Sequence, residues 1–337
     1  MMKHMQIRDR LLRVLDQFGT RRLAVAGDLI ADQFLYGQIA RVSREAPVLV
    51  LQYRDLVRVP GGAANAANNL LDLGCRVAVI GAVGLDAAGK DLVAALEDKG
   101  ADTRYLAQVR SYSTPVKTRI LAGAHHSSPQ QVVRVDRESR LAEDFRIPWK
   151  RLRHACRNLD GIIVSDYGYG AAPPSVIHEL RSLGRQGGIP LVVDSRFRMA
   201  EYQGVTSMTP NITELEAATG ISIAGNQQLL NRVARRVVRK QNLGSLLVTQ
   251  GRFGMTLFQP NRAVVHIPIY GTDEVADVTG AGDTVIAVYT LALACGATPE
   301  EAARLANYAA GIVVMKRGTA TVHREELSFA IRQDLSS

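Results

Sequence analysis

Short unbroken apolar runs alternate along this chain with longer segments of helical spacing. Five runs have the length of buried strands: RLAVAG (22–27), RVAVIGAV (76–83), GIIVS (161–165), PLVVD (190–194) and SLLVTQ (245–250). Unbroken apolar strands separated by helices are typical of a parallel sheet that is covered on both faces. The pattern therefore predicts an α/β fold with a doubly wound, mostly parallel sheet and helices on both of its faces.

Two segments, residues 34–60 and 113–136, break this rhythm. Polar and apolar residues alternate there, as in VLVLQYRDLVRV (48–59) and TPVKTRILAG (114–123), which is typical of half-exposed antiparallel strands. We expect these strands to pair into a small β-sheet lid inserted into the main domain. The α/β domain would then consist of residues 1–33, 61–112 and 137–337.

The composition is that of a globular protein with a basic surplus. Hydrophobic residues make up 47% and charged residues 22% of the 337 residues, which excludes disordered and fibrous classes. With 41 Lys and Arg against 32 Asp and Glu, the net charge of +9 suggests anionic partners, from nucleic acid to small phosphorylated metabolites. Aromatic residues are only 5%, and the densest basic cluster, residues 232–240, has the spacing of a solvated helix face, so we expect no nucleic-acid partner.

Other features of the sequence bear on the cellular compartment. The three cysteines lack the spacing of a disulfide framework or of a zinc site. The N-terminal segment has no apolar signal core, and the longest apolar run, residues 285–294, is too short to span a bilayer. We therefore expect a cytoplasmic protein with no membrane contact.

The segment DVTGAGD (277–283), followed by an apolar helical stretch, is the most informative one. Glycines before a helix let backbone N–H groups converge on an anion, and the helix dipole favours negative charge there. We therefore interpret Gly280, Ala281 and Gly282 as an anion hole. Asp283 would repel that anion unless it has the separate task of accepting a proton from a substrate hydroxyl. The alternative is that Asp283 only caps the helix.

Further candidates follow other predicted strands. Asp28 and Asp32 come after the first strand, at the carboxyl edge of the sheet, where α/β folds bind ligands and where carboxylates can hold sugar hydroxyls. In the segment PGGAAN, Gly61 and Gly62 suit a hinge or a close approach to a ligand, and Asn65 can bind a sugar hydroxyl. A plain strand-to-helix turn is the alternative interpretation of the two glycines.

Asn211 and Glu214, in the segment TPNITE, come after a short strand, where an amide and a carboxylate can organise Mg²⁺ through water. Helix capping by Asn211 is the competing interpretation, and the two roles are compatible. The segment GLDAAGKD (84–91) nearly has the spacing of a P-loop, but Asp91 stands where a P-loop has Ser or Thr, so we discard that reading. No GxGxxG opens a βαβ unit, which leaves a nicotinamide-dependent dehydrogenase as the weaker alternative class.

Four motifs in order, GDLIAD (27–32), PGGAAN (60–65), TPNITE (209–214) and DVTGAGD (277–283), resemble those of the ribokinase-like, or PfkB, carbohydrate kinases. The resemblance extends from about Arg22 to Val322. It implies a ribokinase-like fold with an inserted lid and phosphoryl transfer from ATP to a sugar hydroxyl. It also implies Mg²⁺, a monovalent cation such as K⁺ near Asp277 and Gly318, and a homodimer formed through the lid.

The resemblance also implies a role for each candidate residue. Asp283 is the catalytic base beside the anion hole, and Asn211 and Glu214 face Mg²⁺ and the phosphates. The residues that face the acceptor sugar are Asp28, Asp32, Gly61, Gly62, Asn65 and Asp166. The residues near the nucleotide are Thr249, Gly251, Gly254, Thr279 and Asn307.

Within the family the chain most resembles the heptose kinases of bacterial ADP-heptose synthesis. The segments that carry this likeness are SREAPV (43–48), PGGAANAANNL (60–70), KTR (117–119), QQVVRVD (130–136) and SDYGYG (165–170). Such kinases phosphorylate the C1 hydroxyl of D-glycero-β-D-manno-heptose 7-phosphate and are often fused to a nucleotidyltransferase domain with an HxGH motif. This sequence contains no HxGH, so we expect a single-function kinase. The alternatives are a kinase for a ketohexose, a ketodeoxy acid or ribose, and a non-catalytic nucleotide- or nucleic-acid-binding protein.

Basic residues of the predicted lid suit a phosphorylated acceptor. Lys117 and Arg119 are two residues apart and therefore share one face of a strand, while Arg41 and Arg134 lie on or beside other lid strands. Cations grouped on a closing lid are suited to the terminal phosphate of the sugar. The alternative is that these cations lie on solvated strand edges and bind no phosphate.

Overall fold

Two β-sheets organise the fold. The computed structural model describes residues 2–123, 129–143, 145, 154, 158–271 and 276–334. The strands are β1 (Arg22–Gly27), β2 (Leu29–Val42), β3 (Leu49–Gly62), β4 (Arg76–Gly84), β5 (Asp102–Val109), β6 (Val116–Gly123), β7 (Gln130–Arg137), β8 (Gly161–Asp166), β9 (Leu191–Ser195), β10 (Ser207–Met208), β11 (Ser245–Thr249), β12 (Met255–Phe258) and β13 (Val265–Ile267).

The helices separate these strands along the chain. They are α1 (Met2–Asp16), α2 (Ala63–Asp72), α3 (Ala87–Asp98), α4 (Pro174–Gly187), α5 (Ile212–Thr219), α6 (Gln227–Lys240), α7 (Ala281–Ala294), α8 (Pro299–Val314) and α9 (Arg324–Asp334). Within the described ranges, every helix falls short of the length and hydropathy that a membrane span requires.

The larger sheet has nine strands in the order β13-β12-β11-β10-β9-β8-β1-β4-β5. The pairs from β11 to β5 are parallel, and β12 and β13 extend the sheet in antiparallel fashion. Successive residues of β1 point to opposite faces of the sheet, so they pack into two different hydrophobic cores. Leu23 and Val25 pack with α1, α2, α3, α7, α8 and α9, whereas Ala24 and Ala26 pack with α4, α5 and α6 on the opposite face. The prediction of a doubly wound sheet with helices on both faces is correct.

The smaller sheet, which we call the lid, has the strand order β3-β2-β6-β7. The pairs β2–β3 and β6–β7 are antiparallel, but the central pair β2–β6 is parallel. Our expectation of purely antiparallel strands is therefore wrong at the centre of the lid. The two hairpins come from separate parts of the chain, so no tight turn constrains β2 and β6 to run in opposite directions. Of the predicted lid segment 113–136, residues 124–128 lie outside the described residues.

The path from the lid to the main domain brings polar residues to the edge of the large sheet. Strand β3 passes directly into α2, and α2 packs beside the first turns of α7. Asn65 and Asn69 of α2 are four residues apart, so both lie on the helix face that meets α7. The end of β3, the start of α2 and the start of α7 thus meet beside the carboxyl end of β8.

Candidate active site

Asp283 lies in the first turn of α7 and is buried, with only 3% of its surface exposed. Its Oδ2 accepts a hydrogen bond from Asn65 Nδ2 at 3.0 Å, and its Oδ1 accepts one from the Tyr167 hydroxyl at 2.9 Å. The cap of α7 is Gly280, in a left-handed conformation with a φ of 78° and without a side-chain cap. Asp283 therefore does not act as the helix cap, so the capping interpretation is wrong, and its role as a base stays a prediction.

A second asparagine fixes the orientation of Asn65. Asn69 Nδ2 donates to Asn65 Oδ1 at 3.2 Å, and the Thr284 hydroxyl donates to Asn69 Oδ1 at 3.1 Å. Because the amide oxygen of Asn65 is already an acceptor in this chain of bonds, its amide nitrogen is the group that faces Asp283. The two asparagines thereby hold the carboxylate in one orientation.

Burial raises the pKa of Asp283 to about 7. The hydrogen bonds from Asn65 and Tyr167 oppose this rise, as does the ammonium group of Lys117, whereas the carboxylate of Asp32 adds to it. A general base is most effective when its pKa lies near the operating pH. The Asp283 carboxylate is therefore suited to take a proton from a hydroxyl group at neutral pH.

Backbone amides at the start of α7 are available next to this carboxylate. The first intrahelical bond runs from the Thr284 N–H to the Gly280 oxygen at 3.0 Å, and the Ala281 N–H donates to the Val278 oxygen at 3.3 Å. Among the described residues, the N–H groups of Gly280, Gly282 and Asp283 have no hydrogen-bond partner and remain for an anion, as is usual at a helix N-terminus. Of the predicted anion hole of Gly280, Ala281 and Gly282, only the Ala281 amide is therefore engaged within the protein.

The two glycines of this turn serve different purposes. A Cβ atom on Gly280 would lie 2.5 Å from Asn65 Nδ2, so the absence of a side chain makes room for Asn65. A Cβ atom on Gly282 would meet nothing within 4 Å, which shows that this residue borders open space. Gly282 therefore lets a ligand come close to the helix backbone.

Two cavities meet at the first turn of α7. The larger has a volume of about 630 Å³ and is lined largely by polar and charged residues, among them Lys117, Asp166, Tyr167, Asp194, Arg196, Thr209, Asn211 and Glu214. The smaller, of about 180 Å³, is mainly apolar, with Met255, Ile269, Val285, Ala310 and Val314 in its wall. Thr249, Val278 and Gly282 line both cavities. A polar and an apolar cavity thus adjoin at Gly282; Asp283 itself is not among the residues that line them.

Four of the residues predicted to lie near a nucleotide surround the apolar cavity: Thr249, Gly251, Gly254 and Asn307. Thr279 does not line either cavity. Its N–H donates to Asp277 Oδ1 at 2.9 Å, and Asp277 Oδ2 accepts from the Gly318 N–H at 3.1 Å. Asp277 therefore ties the loop that contains Thr279 to the loop at Gly318, and the expected position of Thr279 beside the nucleotide stays a prediction.

Asn211 and Glu214 form a capping box at the start of α5. The Glu214 N–H donates to Asn211 Oδ1, and the Asn211 N–H donates to Glu214 Oε2, both at 2.9 Å. Both residues also line the larger cavity, where Asp194 is a neighbour. Burial raises the pKa of Asp194 well above its usual value, and the negative charge of Glu214 adds to the rise. The capping interpretation is correct, and a concentration of carboxylate charge faces the cavity beside it.

The lid contributes two cations with different surroundings. Arg119 Nη1 lies 2.7 Å from Asp32 Oδ1, and the Thr319 hydroxyl donates to Asp32 Oδ2 at 2.9 Å. Asp32, on the neighbouring strand β2, is therefore the partner of Arg119, which corrects the expectation that Arg119 is free for the acceptor phosphate. Lys117 forms no ion pair with any described residue, and its ammonium group lies 4.7 Å from the centre of the Tyr167 ring.

Arg41 and Arg134 lie away from the cavity. Arg41 is exposed towards the end of β2, and Arg134 Nε lies 3.0 Å from Asp136 Oδ1. Neither residue lines the larger cavity. Their expected contact with the acceptor is therefore not supported by the geometry: Arg41 lies near the far end of β2, and Arg134 lies opposite Arg119 but on the edge strand β7.

Asp28 organises a loop of the protein. Asp28 Oδ2 accepts from the backbone N–H groups of Tyr167 at 2.8 Å and Tyr169 at 3.0 Å, while Oδ1 accepts from the Ala171 N–H at 2.9 Å. Burial raises the pKa of Asp28, and these backbone bonds oppose the rise. The expected sugar contact is corrected, because both carboxylate oxygens already serve the loop after β8.

Asp166 has a similar structural role. Its carboxylate accepts from Arg198 Nη2 at 2.8 Å, from the Ser195 hydroxyl at 2.8 Å and from the Tyr202 hydroxyl at 2.6 Å. It borders the larger cavity, but its oxygens are engaged by these side chains. Asp166 therefore supports the cavity wall, and its predicted contact with the sugar stays a prediction.

Gly61 and Gly62 make close approaches within the protein. A Cβ atom on Gly61 would lie 2.5 Å from Asp32 Oδ2, and one on Gly62 would lie 2.8 Å from the Asp28 carbonyl oxygen. Gly62 also has a φ of 57° and a ψ of −133°, a conformation that is essentially restricted to glycine. The strand-to-helix turn is therefore sufficient to explain Gly62, and Gly61 makes room for Asp32.

Sequence reasoning missed several residues of the larger cavity: Tyr167, Asp194, Arg196 and Thr209. Asp194 lies near the carboxyl end of β9, a position that the general rule for α/β sheets would have identified. Tyr167 follows β8 in the segment SDYGYG, but the sequence does not reveal that its hydroxyl reaches Asp283, 116 positions away. Thr209 opens the TPNITE motif, which was considered only for Asn211 and Glu214, and Arg196 carries no comparable pattern.

The motifs and the geometry agree with a match to a known family. The sequence profile described as pfkB family carbohydrate kinase matches residues 21–326. The chain therefore belongs to the PfkB family of carbohydrate kinases, and it is a phosphotransferase that acts on a sugar hydroxyl. The resemblance inferred from the four motifs is confirmed.

Among curated proteins, several named HldE are similar to this chain. The chain is 44% identical over 315 residues to the bifunctional protein HldE of Geobacter sulfurreducens, covering 92% of this chain and 62% of that protein. It is 38% identical over 320 residues to the bifunctional protein HldE of Salmonella dublin, covering 94% of this chain and 65% of that protein. The chain thus spans slightly less than two thirds of the length of these relatives.

Solved structures support the fold. A ribokinase of Arabidopsis thaliana, determined with ribose and ATP, superposes with a TM-score of 0.74 at 21% identity and covers 93% of this chain and 99% of its own. Phosphofructokinase-2 of Escherichia coli, determined with potassium, superposes with a TM-score of 0.70 at 19% identity, with 94% and 99% coverage. At these identities the likeness establishes the ribokinase-like fold alone.

Proposed function

We propose that this chain transfers the γ-phosphoryl group of ATP to the C1 hydroxyl of D-glycero-β-D-manno-heptose 7-phosphate and releases ADP and the 1,7-bisphosphate. The observation that carries the proposal is the place of Asp283, a buried carboxylate bonded to Tyr167, which lines the polar cavity, and next in the chain to Gly282, which lines both cavities. Sequence identity of 37–44% to proteins named HldE favours a heptose as the acceptor.

Asp283 would act as the general base. Its carboxylate accepts the proton of the C1 hydroxyl as the sugar oxygen forms a bond to the γ-phosphorus and the bond from that phosphorus to the ADP oxygen breaks. The amides of Gly282 and Asp283 would donate to the transferring phosphoryl group, with the positive end of the α7 dipole directed at it. Asn65 and Tyr167 hold the base in place through the bonds described above.

The carboxylate side of the cavity is suited to Mg²⁺. Glu214 and Asn211 would supply hard oxygen ligands, and a divalent cation there would relieve the repulsion that the Glu214 carboxylate exerts on Asp194. Mg²⁺ bound there would neutralise phosphate charge. The loops joined by Asp277 and Gly318 are the expected place for a monovalent cation such as K⁺.

Two cations of the larger cavity support a phosphorylated acceptor. Burial lowers the pKa of Lys117, and the positive charge of Arg196 lowers it further, which indicates two like charges that an anion would stabilise. The buried Thr209 hydroxyl has no hydrogen-bond partner among the described residues and is a further donor in the same wall. Lys117, Arg196 and Thr209 are therefore our revised candidates for phosphate contacts.

An ADP-release assay over a panel of sugars tests the proposal. The panel contains heptose 7-phosphate, unphosphorylated heptose, fructose 6-phosphate, a ketodeoxy acid and ribose, each with Mg²⁺-ATP. We expect the highest kcat/KM with heptose 7-phosphate. A higher value with another sugar would make the chain a PfkB kinase of different specificity, and ADP release with none of them would favour a non-catalytic role.

A homodimer formed through the lid is part of the proposal. Lid strands β3 and β7 expose apolar side chains, with Tyr53 65% and Val135 54% exposed, and Leu49, Val132 and Val133 more than 40% exposed. A second copy of the lid would remove this apolar surface from water. Sedimentation of the wild type and of the Tyr53→Asp variant tests this, with a dimer expected for the wild type alone.

A further inference from the structure

Tyr167 touches both the catalytic carboxylate and the lid cation. Its hydroxyl donates to Asp283 Oδ1 at 2.9 Å, and the ammonium group of Lys117 lies 4.7 Å from the centre of its ring. Its backbone N–H is bound to Asp28 Oδ2 at 2.8 Å, which fixes the start of the loop. One side chain thus connects the lid strand β6 to the first turn of α7.

We infer that Tyr167 is a positioning residue that orients the Asp283 base through its hydroxyl and supports Lys117 through its ring. The inference rests on the proposed role of Asp283 as the base, but it does not depend on which sugar is the acceptor. Neither function follows from the four family motifs. Those motifs include Asn65 and Asp283 but not Tyr167.

The hydroxyl of Tyr167 is a permanent donor. Burial raises the pKa of this phenol well above its ordinary value, and the negative charge of Asp283 raises it further. The phenol therefore keeps its proton over the whole range in which Asp283 titrates. A donor that always points at the carboxylate stabilises the ionised form of the base, the form that accepts a proton.

The charges around Asp283 come from several elements. The Asp32 carboxylate on β2 raises the pKa of Asp283, and the Lys117 ammonium group on β6 lowers it. Arg196 after β9 acts on Lys117, and Asp194 on β9 has its own pKa raised by burial and by the neighbouring carboxylates. The two hydrogen-bond donors Asn65 and Tyr167 lower the pKa of Asp283 and so oppose burial and Asp32. Removing one donor should therefore shift the titration of Asp283 to higher pH.

The test uses Tyr167→Phe, which removes the hydroxyl and keeps the ring under Lys117. Hydrogen bonds to a charged group are strong enough to predict a shift of about one pH unit or more in the acidic limb of kcat/KM. For a shift of about one unit, the variant should lose about fivefold in kcat/KM at pH 7 and recover towards wild type near pH 9. Tyr167→Leu, which also removes the ring, should in addition raise the KM for a phosphorylated sugar.

Tyr169→Phe is the matched control. Tyr169 lies in the same loop, but its hydroxyl donates to Glu138 at 2.9 Å and does not contact Asp283. We expect its pH profile to superpose on that of the wild type. If the Tyr167→Phe profile is only scaled down, with an unchanged acidic limb, the hydroxyl has a structural role and the inference is wrong.

A titration without substrate separates this inference from the proposed function. The ¹³C carboxyl resonance of Asp283, assigned by its loss in Asp283→Asn, is followed against pH in the wild type and in Tyr167→Phe. A higher titration midpoint in the variant supports the inference even if the sugar panel yields no ADP. Equal midpoints would overturn it even if the wild type proves to be an active kinase.

Discussion

The two cations of strand β6 should respond in opposite ways to the same substitution. Arg119 and Asp32 form a buried ion pair with side-chain exposures of 11% and 7%, whereas Lys117 forms no ion pair with a described residue. Replacing each cation in turn by Met keeps an apolar stem and removes only the charged end. The comparison therefore separates a structural cation from one that is free for a ligand.

The expected magnitudes differ for the two variants. Arg119→Met leaves Asp32 buried without its partner, which should cost about 3 kcal/mol in the free energy of unfolding and lower Tm by about 5–10 °C. Lys117→Met removes a cation whose burial lowers its pKa, so Tm should stay within about 2 °C of wild type. If Lys117 binds the acceptor phosphate, its loss should raise the KM for that sugar about 10- to 100-fold.

Urea unfolding and steady-state kinetics measure both effects. The KM values for heptose 7-phosphate and for unphosphorylated heptose are compared in each variant, with the KM for ATP as the control. Lys117→Met should raise only the KM for the phosphorylated sugar. An Arg119→Met variant with wild-type stability and a raised sugar KM would refute the reasoning, because the guanidinium would then serve the ligand and not Asp32.

Three further predictions concern the glycines and the base. Gly62→Ala should lower Tm by several degrees, since the new Cβ would lie 2.8 Å from the Asp28 oxygen in a strained conformation, and an unchanged melt with reduced turnover would instead indicate a hinge. Gly282→Val should keep its Tm but lower kcat/KM, because its side chain enters the open cavity, and full activity would contradict this. The pKa of Asp283, about 7 when folded, exceeds the value of about 3.9 expected when unfolded, so the wild type loses stability as pH rises from 4 through 7. The Tm of Asp283→Asn minus that of the wild type should therefore increase between pH 4 and pH 8, and a constant difference would contradict the raised pKa.

Apolar runs were sufficient to predict the central strands. The runs at 22–27, 76–83 and 161–165 correspond to β1, β4 and β8, because a strand buried on both faces must be apolar throughout. Strand β5 was missed, since polar residues interrupt the segment Asp102–Val109. The parallel pairing of β2 with β6 depends on where the chain returns from the main domain, which no local pattern contains.

The candidate site was predicted less completely than the fold. Asp283 and Asn65 were identified because they lie in short motifs at a helix start. The role of Asp28 was misassigned, and that of Asp166 stays a prediction, because a carboxylate at the carboxyl edge of a sheet can bind a ligand equally well or bind a neighbouring loop. Which of these a carboxylate binds depends on residues distant in the sequence. Ala171 lies 143 positions from Asp28, and Tyr202 lies 36 positions from Asp166.

The central claim is that Asp283 is the base of a sugar kinase, and the kcat of Asp283→Asn tests it most directly. The substitution keeps the shape of the side chain and removes its charge and its ability to accept a proton. At saturating Mg²⁺-ATP and sugar, kcat should fall by about 10²- to 10⁴-fold while the protein remains folded. A folded variant that keeps more than about a tenth of the wild-type kcat would contradict the claim, since general base catalysis contributes about a hundredfold or more.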